Sequence, residues 1–269
     1  MNISLFPKKD KKNKSYFKQR TLQNSLINPA TITFKKLTLL LRVMSNLHTS
    51  PFFIHKDKKI IIKKIKISNS KLNFKNKYIL VSSNKIYLKL KDKVIEVNNN
   101  FFIKSINTNK LENKEIREIC LLKNQHWKFG IKKQLEWFKI NIKKHDTHNM
   151  FYIKSKLVGY TLLREKICKV NKTNKEIKYL LFDTLIINKK HRDKKLSNLL
   201  MNFNNLIIKK KKLFSFLICN DELVNFYKKN YWVKLNNKNI NVVDHKFNSN
   251  GMVYNNKNLD KRYLFYIEK

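Results

Sequence analysis

The sequence predicts an α/β fold in which a mixed central sheet is flanked by helices. Two apolar runs, "YLLFDTLII" (179–187) and "LFSFLICN" (213–220), have the length and composition of buried strands, and an amphipathic segment with helical spacing follows each. A third run, "NMFYIKSKLVGYTLLREKICKV" (149–170), has the alternation of a β-hairpin. Strands joined through helices and strands joined by a tight turn together indicate a sheet of mixed direction.

The N-terminal part divides by pattern into two segments. Residues 1–57 are polar, basic and weakly periodic apart from a short apolar element at 37–44. We expect them to form a loosely ordered extension that is dispensable for catalysis. Residues 58–106 alternate apolar and polar residues in short runs separated by Asn and Ser, which predicts a small β-rich segment of antiparallel strands.

From residue 107 helical and strand patterns alternate, which predicts the principal domain, 107–269. Two amphipathic helices come first and precede the hairpin, whose turn we place at "KSK" (154–156). The two buried strands then alternate with two helices, and strand-like segments end the chain. The four predicted helices are "LENKEIREICLLKN" (111–124), "IKKQLEWFKINI" (131–142), "LSNLLMNFNNLII" (196–208) and "DELVNFYKKNYW" (221–232).

The composition is strongly basic, with 60 Lys and Arg against 18 Asp and Glu and a formal net charge of +42. Clustered bases attract polyanions such as nucleic acid. Two observations favour genome bias instead. Lys, Asn and Ile share A/T-rich codons, and only six of the bases are Arg, the residue that nucleic-acid-binding surfaces prefer. Nucleic acid therefore stays an alternative partner that we do not favour.

Several classes of protein are not indicated. The cysteines Cys120, Cys168 and Cys219 are odd in number and widely spaced, so neither a disulfide framework nor a zinc site is expected. His145, Asp146 and His148 in "HDTHNM" have no further ligand cluster nearby, and we expect no metal; an acceptor contact or a polar loop are the open interpretations. Without a membrane-length apolar run or a secretory signal, the expected location is the cytoplasm.

Four stretches, taken in order, resemble the GNAT family of N-acyltransferases over about 107–269. "LVGYTLLRE" resembles its third strand. "FDTLIINKKHRDKKLSNLLMNF" resembles its fourth strand, acyl-CoA loop and following helix. "FSFLICND" resembles its fifth strand, and "ELVNFYKKNYW" resembles the helix after that strand. The resemblance implies a GNAT-like mixed sheet, acetyl-CoA as the acyl donor and an amine as the acceptor.

In this family the loop after the fourth strand holds the CoA pyrophosphate at a helix N-terminus. Unpaired backbone amides and the helix dipole suit that role. The family pattern is Arg or Gln, two residues, Gly, one residue, then Gly or Ala. Arg192 and Ser197 fit the first and last positions, whereas Lys195 stands where Gly is usual. The implied cofactor contacts of the loop are Arg192, Asp193, Lys194, Lys195, Leu196 and Ser197.

The resemblance also implies that a bulge separates the fourth and fifth strands, so that the pantetheine arm lies between them. The backbone of Leu185, Ile186 and Ile187 would then pair with that arm, because an unpaired strand edge inside a protein needs partners. Asn220 begins the last helix as an N-cap, and its counterpart in relatives contacts the cofactor. Simple core residues are the alternative interpretation of this strand.

The same resemblance gives two catalytic candidates. Asp183 lies on the fourth strand, where relatives carry a carboxylate that accepts the amine proton. Tyr227 matches the tyrosine that protonates the CoA thiolate, and a phenol is able to donate at neutral pH. The alternatives are a structural or substrate-binding carboxylate and a core aromatic residue.

The sequence therefore predicts an acyl-CoA-dependent N-acyltransferase that acts by direct attack of a primary amine in a ternary complex. A basic protein attracts acidic acceptors, for example an amino sugar linked to a nucleotide. The alternative is a basic RNA-binding protein on a degenerate scaffold of the same fold. A continuous basic face with exposed aromatic residues would favour RNA, and scattered lysines with an open cleft between the fourth and fifth strands would favour the enzyme.

Overall fold

The computed structural model describes residues 25–44, 50–55, 58–69, 72–75, 77–82, 85–98, 101–170, 176–192, 195–243 and 249–267. The helices are α1 (Phe34–Val43), α2 (Asn113–Asn124), α3 (Ile131–Asn141), α4 (Leu196–Lys211) and α5 (Asp221–Lys229). None of the helices in these ranges has both the length and the apolarity required to cross a membrane.

The strands follow α1, α3, α4 and α5 in the order expected from the sequence. They are β1 (Phe52–His55), β2 (Lys58–Ile61), β3 (Lys64–Ile67), β4 (Ile79–Ser82), β5 (Lys85–Lys89), β6 (Val94–Asn98), β7 (Phe101–Asn107), β8 (Thr147–Ile153), β9 (Lys156–Val170), β10 (Glu176–Ile187), β11 (Ser215–Cys219), β12 (Val233–Lys234), β13 (Ile240–Val242), β14 (Asn250–Tyr254) and β15 (Tyr263–Phe265).

The principal sheet has the order β1-β2-β7-β8-β9-β10-β11-β14-β12, and β15 pairs with β9 and β13. Most neighbours are antiparallel, but β10 and β11 run parallel because α4 connects them. Helices cover both faces of this sheet. The predicted fold class, a mixed sheet flanked by helices, is confirmed.

Alternation along the strands sends side chains to two separate cores. Met150 and Ile186 face α2 and α3, whereas Phe151 and Leu185 face α4. Because side chains of neighbouring strand residues point to opposite faces, a single strand supplies both cores. The near-continuous burial of β8, and the near-continuous apolar run in the second half of β10, follow from this double burial.

A second sheet, β3-β6-β5-β4, contains four strands of the β-rich segment predicted over 58–106, whereas β2 and β7 of that segment belong to the principal sheet. The second sheet packs on α1 and on β1 and β2 through a core that includes Ile27, Leu37, Phe53 and Leu88. This finding differs from the loosely ordered extension expected at 1–57. Residues 1–24 and 45–49 lie outside the described residues, but α1 and β1 are regular elements that contribute Leu37 and Phe53 to this core.

The principal sheet also crosses the boundary expected at 106/107. Strand β7 pairs with β8 along its whole length and with β2 on its other side. The β-rich segment and the helical domain are therefore joined by continuous hydrogen bonding. The alternation of β7 resembles that of its N-terminal neighbours, so sequence periodicity alone gives no sign of the sheet to which it belongs.

The turn of the β8–β9 hairpin lies at Lys154 and Ser155, as predicted. Both residues have positive φ, 47° and 60°, which is the conformation of a two-residue turn whose twist matches that of the strands. At the beginning of β9, Gly159 lies opposite Ile187 of β10. A Cβ on Gly159 would lie 2.9 Å from the Ile187 Cδ1 atom, so glycine allows these two strands to approach.

Candidate active site

Strand β10 is irregular at its centre. Its pairing with β9 shifts register between Phe182 and Thr184, so Asp183 is the additional residue of a β-bulge. On its other edge, β10 pairs with β11 only at Leu180 and Leu181. Beyond Phe182 the two parallel strands separate, and that edge of β10 has no strand partner among the described residues. The predicted bulge and the separation of these strands are confirmed.

The three residues predicted to line this gap are packed in both cores. Leu185 and Ile187 are half-buried and face α4, whereas Ile186 is 5% exposed and faces α2 and α3. Their side chains are therefore occupied by packing. A ligand in the gap would therefore contact their backbone N–H and C=O groups, which have no strand partner on this edge among the described residues.

The predicted phosphate-binding turn joins β10 to α4. Asn188 begins a short 3₁₀ helix, Lys189–His191, and its Oδ1 accepts from the Lys190 N–H at 3.0 Å. Arg192 follows and is exposed, and its Nε donates to the Ile187 carbonyl at 3.4 Å. Asp193 and Lys194, two of the predicted contacts, lie outside the described residues.

Lys195 is the N-cap residue of α4 and has φ 55° and ψ 22°, a left-handed conformation. This is the position where the family pattern has Gly, and a left-handed backbone explains why Gly suits it. The amides of Leu196, Ser197 and Asn198 have no hydrogen-bond acceptor among the described residues, as expected for the first turn of a helix. The Leu196 side chain is 2% exposed, so only its backbone is available to a ligand.

The Asp183 carboxylate is held by an ion pair. Arg164 of β9 donates from Nη1 to Asp183 Oδ2 at 2.8 Å, and the Thr184 hydroxyl donates to Oδ1 at 3.0 Å. Arg164 also donates from Nη2 to the Asn141 carbonyl at 3.0 Å, which fixes it against the end of α3. Its Nε is buried and has no partner among the described groups.

A second cation lies near this pair. Lys123 of α2 is 6% exposed, and its Nζ lies 3.6 Å from the centroid of the Trp137 ring and 5.7 Å from that of Trp127. Burial lowers the pKa of Lys123, and the negative charge of Asp183 acts in the opposite direction. The face of the bulge that is turned toward α2 and α3 therefore carries more positive than negative charge.

Tyr227 of α5 lies on the opposite face and packs against β10 just before the bulge. Its ring centroid lies 6.3 Å from that of Phe182 and 6.1 Å from that of Trp232. Burial raises the pKa of Tyr227 well above its usual value, so the phenol stays protonated at neutral pH. Its hydroxyl makes no hydrogen bond with another described residue, which leaves its proton available.

Asn220 is the N-cap residue of α5, as predicted. Its backbone is extended and its side chain is exposed, but that side chain makes no capping hydrogen bond. The amide is therefore available to a ligand at the end of β11 next to the gap.

The residues of "HDTHNM" have structural partners. His148 is fully buried and shares hydrogen bonds of 2.8 Å with the Tyr160 hydroxyl and with the Thr108 Oγ1 atom. Burial lowers the pKa of His148 to about 3, so it is neutral. Asp146 accepts from the backbone amides of Lys143 and Glu165, at 2.8 and 3.0 Å. Neither side chain is exposed to an acceptor, and the described residues contain no group of metal-binding side chains.

Two residues of this region were not predicted from the sequence, Arg164 and Lys123. A signal for Arg164 exists, since an Arg inside the apolar run "YTLLREKI" requires a buried acceptor. The only nearby strand with a carboxylate in an apolar setting was β10, with Asp183. For Lys123 the helical pattern gave no sign, because a lysine at the end of an amphipathic helix is ordinarily solvated.

No protein-family model matches this sequence, and no curated protein matches it. Solved structures with a similar arrangement include Escherichia coli ElaA, which is 14% identical with a TM-score of 0.42 over 56% of this chain and 97% of that chain. An acyl-CoA N-acyltransferase from Pseudomonas aeruginosa is 13% identical, with a TM-score of 0.42 and the same coverage. The GNAT family N-acetyltransferase YhbS from Escherichia coli, solved with CoA, is 10% identical with a TM-score of 0.46 over 61% and 87%.

Proposed function

We propose that this chain is an acyl-CoA-dependent N-acyltransferase that transfers an acyl group, in the first instance acetyl, to a primary amine. The observation that carries the proposal is the bulge at Asp183, after which β10 and β11 separate. The gap opens toward the N-terminus of α4, whose first amides lack described acceptors. A strand edge and a helix N-terminus with free donors suit an extended amide-containing arm that ends in phosphates. Acetyl-CoA has that form and, when bound, would supply an acyl thioester.

In this proposal the turn binds the pyrophosphate. Arg192 makes a charge-assisted contact, and Ser197 and Leu196 donate backbone amides. Lys195, whose backbone is left-handed, belongs to the same turn, and its ammonium adds a positive charge. Asp193 and Lys194 keep their predicted place in this contact set, as does the exposed amide of Asn220.

The two proton-transfer roles fall on opposite faces of the sheet. Asp183 accepts the proton of the attacking amine, directly or through water, and its ion pair with Arg164 fixes its position at the bulge. Tyr227 donates the proton that the departing sulfur requires. The free hydroxyl proton of Tyr227 and its packing on Phe182, next to the gap, support this division.

The acceptor is proposed to be a small molecule that carries both an amine and an acidic group. Lys123 and Arg164 exceed Asp183 in charge on the acceptor face, so an anionic group is stabilised there and a polyamine is not. An amino sugar linked to a nucleotide satisfies this requirement. Direct attack in a ternary complex requires the amine and the thioester to meet at the gap, which begins at the bulge that carries Asp183.

Calorimetric titration with CoA tests the proposal. The wild-type protein should bind CoA, and Arg192→Ala should weaken binding by about 1–3 kcal/mol, the scale of a charge-assisted phosphate contact. Arg117→Ala, which removes an exposed arginine of α2, is the matched control and should leave the affinity unchanged. Absence of CoA binding by the wild type would refute the proposal, and equal affinity of the wild type and Arg192→Ala would refute the assigned turn.

A further inference from the structure

A basic cleft of about 710 Å³ opens on the far side of β10 from the gap. Its walls are the end of α2 with the following loop, the beginning of β9, and the segment after β10. Its basic side chains are those of Lys128, Lys156, Lys189 and Lys190, with the imidazole of His191 beside them, and none of the described lining residues is acidic. A concave site of this volume accommodates a ligand of nucleotide size.

The charge of this cleft is not neutralised within the described part of the chain. None of the four lysines forms an ion pair with a described acidic residue. Four lysines that line one concave surface create a positive potential that concentrates anions. The wall itself is fixed, because the Asn188 N–H donates to the Val158 carbonyl at 2.8 Å.

The cleft adjoins the turn proposed to bind CoA but shares no residue with it. The cleft is lined by residues 188–191 of the segment after β10, whereas the proposed CoA contacts of the turn are residues 192–197. Leu157, which lines the cleft, packs in the core beneath α2 and α3, and its neighbour Val158 packs in the core beneath α4. Because the two basic regions are consecutive in the chain, the test below separates them with variants of each.

We infer that this basic cleft binds the phosphate groups of a small phosphorylated ligand. This inference rests on the proposed function, because it takes the ligand to be the amine acceptor. The phosphates of the acceptor are held at the cleft while its amine reaches the bulge. Asn188 follows Asp183 by five residues of extended chain, about 16 Å. The acceptor must therefore place at least that length between amine and phosphate, which a nucleoside diphosphate linked to an amino sugar does.

A small ligand is favoured over an RNA chain by the shape of the surface. Three aromatic residues are exposed and available for base stacking: Tyr78, Phe129 and Tyr231. They lie far apart in the chain, and Phe129 is the one that follows a lining residue of the cleft, Lys128. Binding of single-stranded RNA uses successive aromatic platforms along a groove. The described residues form no such series.

Inorganic pyrophosphate is the probe, measured by calorimetry with the full chain. Because pyrophosphate also suits the 192–197 turn, Arg192→Ala serves as the parent for every comparison. Lys156→Glu and Lys189→Glu should each weaken pyrophosphate binding at least tenfold. Lys66→Glu, which reverses an exposed lysine of β3 in the second sheet, is matched in charge and should change the dissociation constant less than twofold. Circular dichroism verifies that all variants are folded.

Unchanged affinity in the cleft variants, or an equal loss in Lys66→Glu, would overturn the inference in favour of nonspecific attraction by the net charge. CoA titration distinguishes the two sites, since Lys156→Glu in the wild-type background should retain CoA affinity. If it loses that affinity, the cleft is part of the CoA site and the inference is wrong. A twelve-nucleotide single-stranded RNA that binds when pyrophosphate does not would also overturn it. Failure of CoA to bind, with pyrophosphate still bound at the cleft, would refute the proposed function and leave the cleft as a phosphate site.

Discussion

Asp183 combines a proposed chemical role with a structural one, and substitution separates them. Asp183→Asn removes the charge that Arg164 pairs with, so the free energy of unfolding should fall by roughly 3 kcal/mol, as for other broken buried pairs. If Asp183 is also the base, kcat should fall and the acidic limb of its pH profile should shift.

Tyr227→Phe is the comparison for Asp183→Asn, because the Tyr227 hydroxyl has no described partner. It should keep the stability and the CoA affinity and lower kcat by about 10²-fold. Equal kcat in all three proteins would contradict both assignments.

Lys195 has a left-handed backbone conformation, which is unfavourable for a residue with a side chain. At φ 55°, Lys195→Gly should raise the free energy of unfolding by about 0.5 kcal/mol or more, and CoA affinity should be unchanged or improved. Lys212, the C-cap residue of α4, also has a left-handed backbone, with φ 56°. Lys212→Gly should therefore match the gain in thermal stability and leave CoA binding unaffected. A severe loss of CoA affinity in Lys195→Gly alone would instead show that the lysine ammonium binds the cofactor.

Single residues were predicted where the chain order determines their place. The order of elements placed Asp183 on a strand and Tyr227 on a helix, and the structure has them on β10 and α5. Their catalytic roles were implied by the family resemblance and stay a prediction. The ion pair of Asp183 with Arg164 was not predicted, since it depends on which residues of β9 and β10 meet across a bulge. That register is set by packing on both faces of the sheet.

At the scale of elements, α1 and β1 are part of the folded unit. Leu37 and Phe53 are 0% and 1% exposed, and β1 extends the principal sheet through β2. Each buried side chain of this size contributes about 2 kcal/mol, so the loss of these two alone removes about 4 kcal/mol, a large share of the roughly 5–15 kcal/mol that stabilises a typical domain. A chain that begins at residue 58 should therefore be insoluble or lack a cooperative unfolding transition.

A chain that begins at residue 25 is the control for this truncation, because it retains every described element. Its thermal unfolding should be cooperative. Cooperative unfolding of the chain from residue 58, with unchanged CoA affinity, would restore the original expectation that residues 1–57 are dispensable.

Periodicity predicted the elements well where one pattern dominates. The helices α2 to α5, the hairpin and the four strands of the second sheet all occur near their predicted positions. The helix α1 was recognised only as an apolar element at 37–44, because its beginning at Thr33 and Phe34 is set by a capping contact and by a hydrogen bond from the Phe34 amide to Asp92. Such long-range partners are not visible in a local window of sequence.

At the scale of the whole molecule, the net charge of +42 is only locally compensated. Each ion pair among the described residues involves one carboxylate and one base, and lysines are exposed on both sheets. Scattered lysines with a gap between β10 and β11 correspond to the arrangement that favours the enzyme over the RNA-binding alternative. Codon bias stays our interpretation of most of the charge, and the basic cleft is the local feature that the pyrophosphate titration tests.

Lys59 departs from this solvated distribution. It is 1% exposed, and its Nζ lies 3.9 Å from the centroid of the Phe52 ring without a hydrogen-bond partner among the described residues. Burial lowers its pKa to about 7 from a usual value of 10.5. The folded protein therefore binds this proton less tightly than the unfolded chain does.

The stability of the whole molecule should consequently depend on pH through Lys59. Between pH 7 and 10.5 the unfolded state binds more protons, so the free energy of unfolding should rise with pH in this window. Below pH 7 Lys59 is charged in both states, and the full free-energy cost of burying its charge remains. Lys59→Met should therefore stabilise the protein by about 4 kcal/mol near pH 6, and the gain should shrink toward zero near pH 10. Denaturant unfolding at several pH values measures this difference, with Lys66→Met as an exposed control that should show none. A gain that is the same at every pH would mean that Lys59 is solvated in the folded protein and that its replacement acts through packing alone.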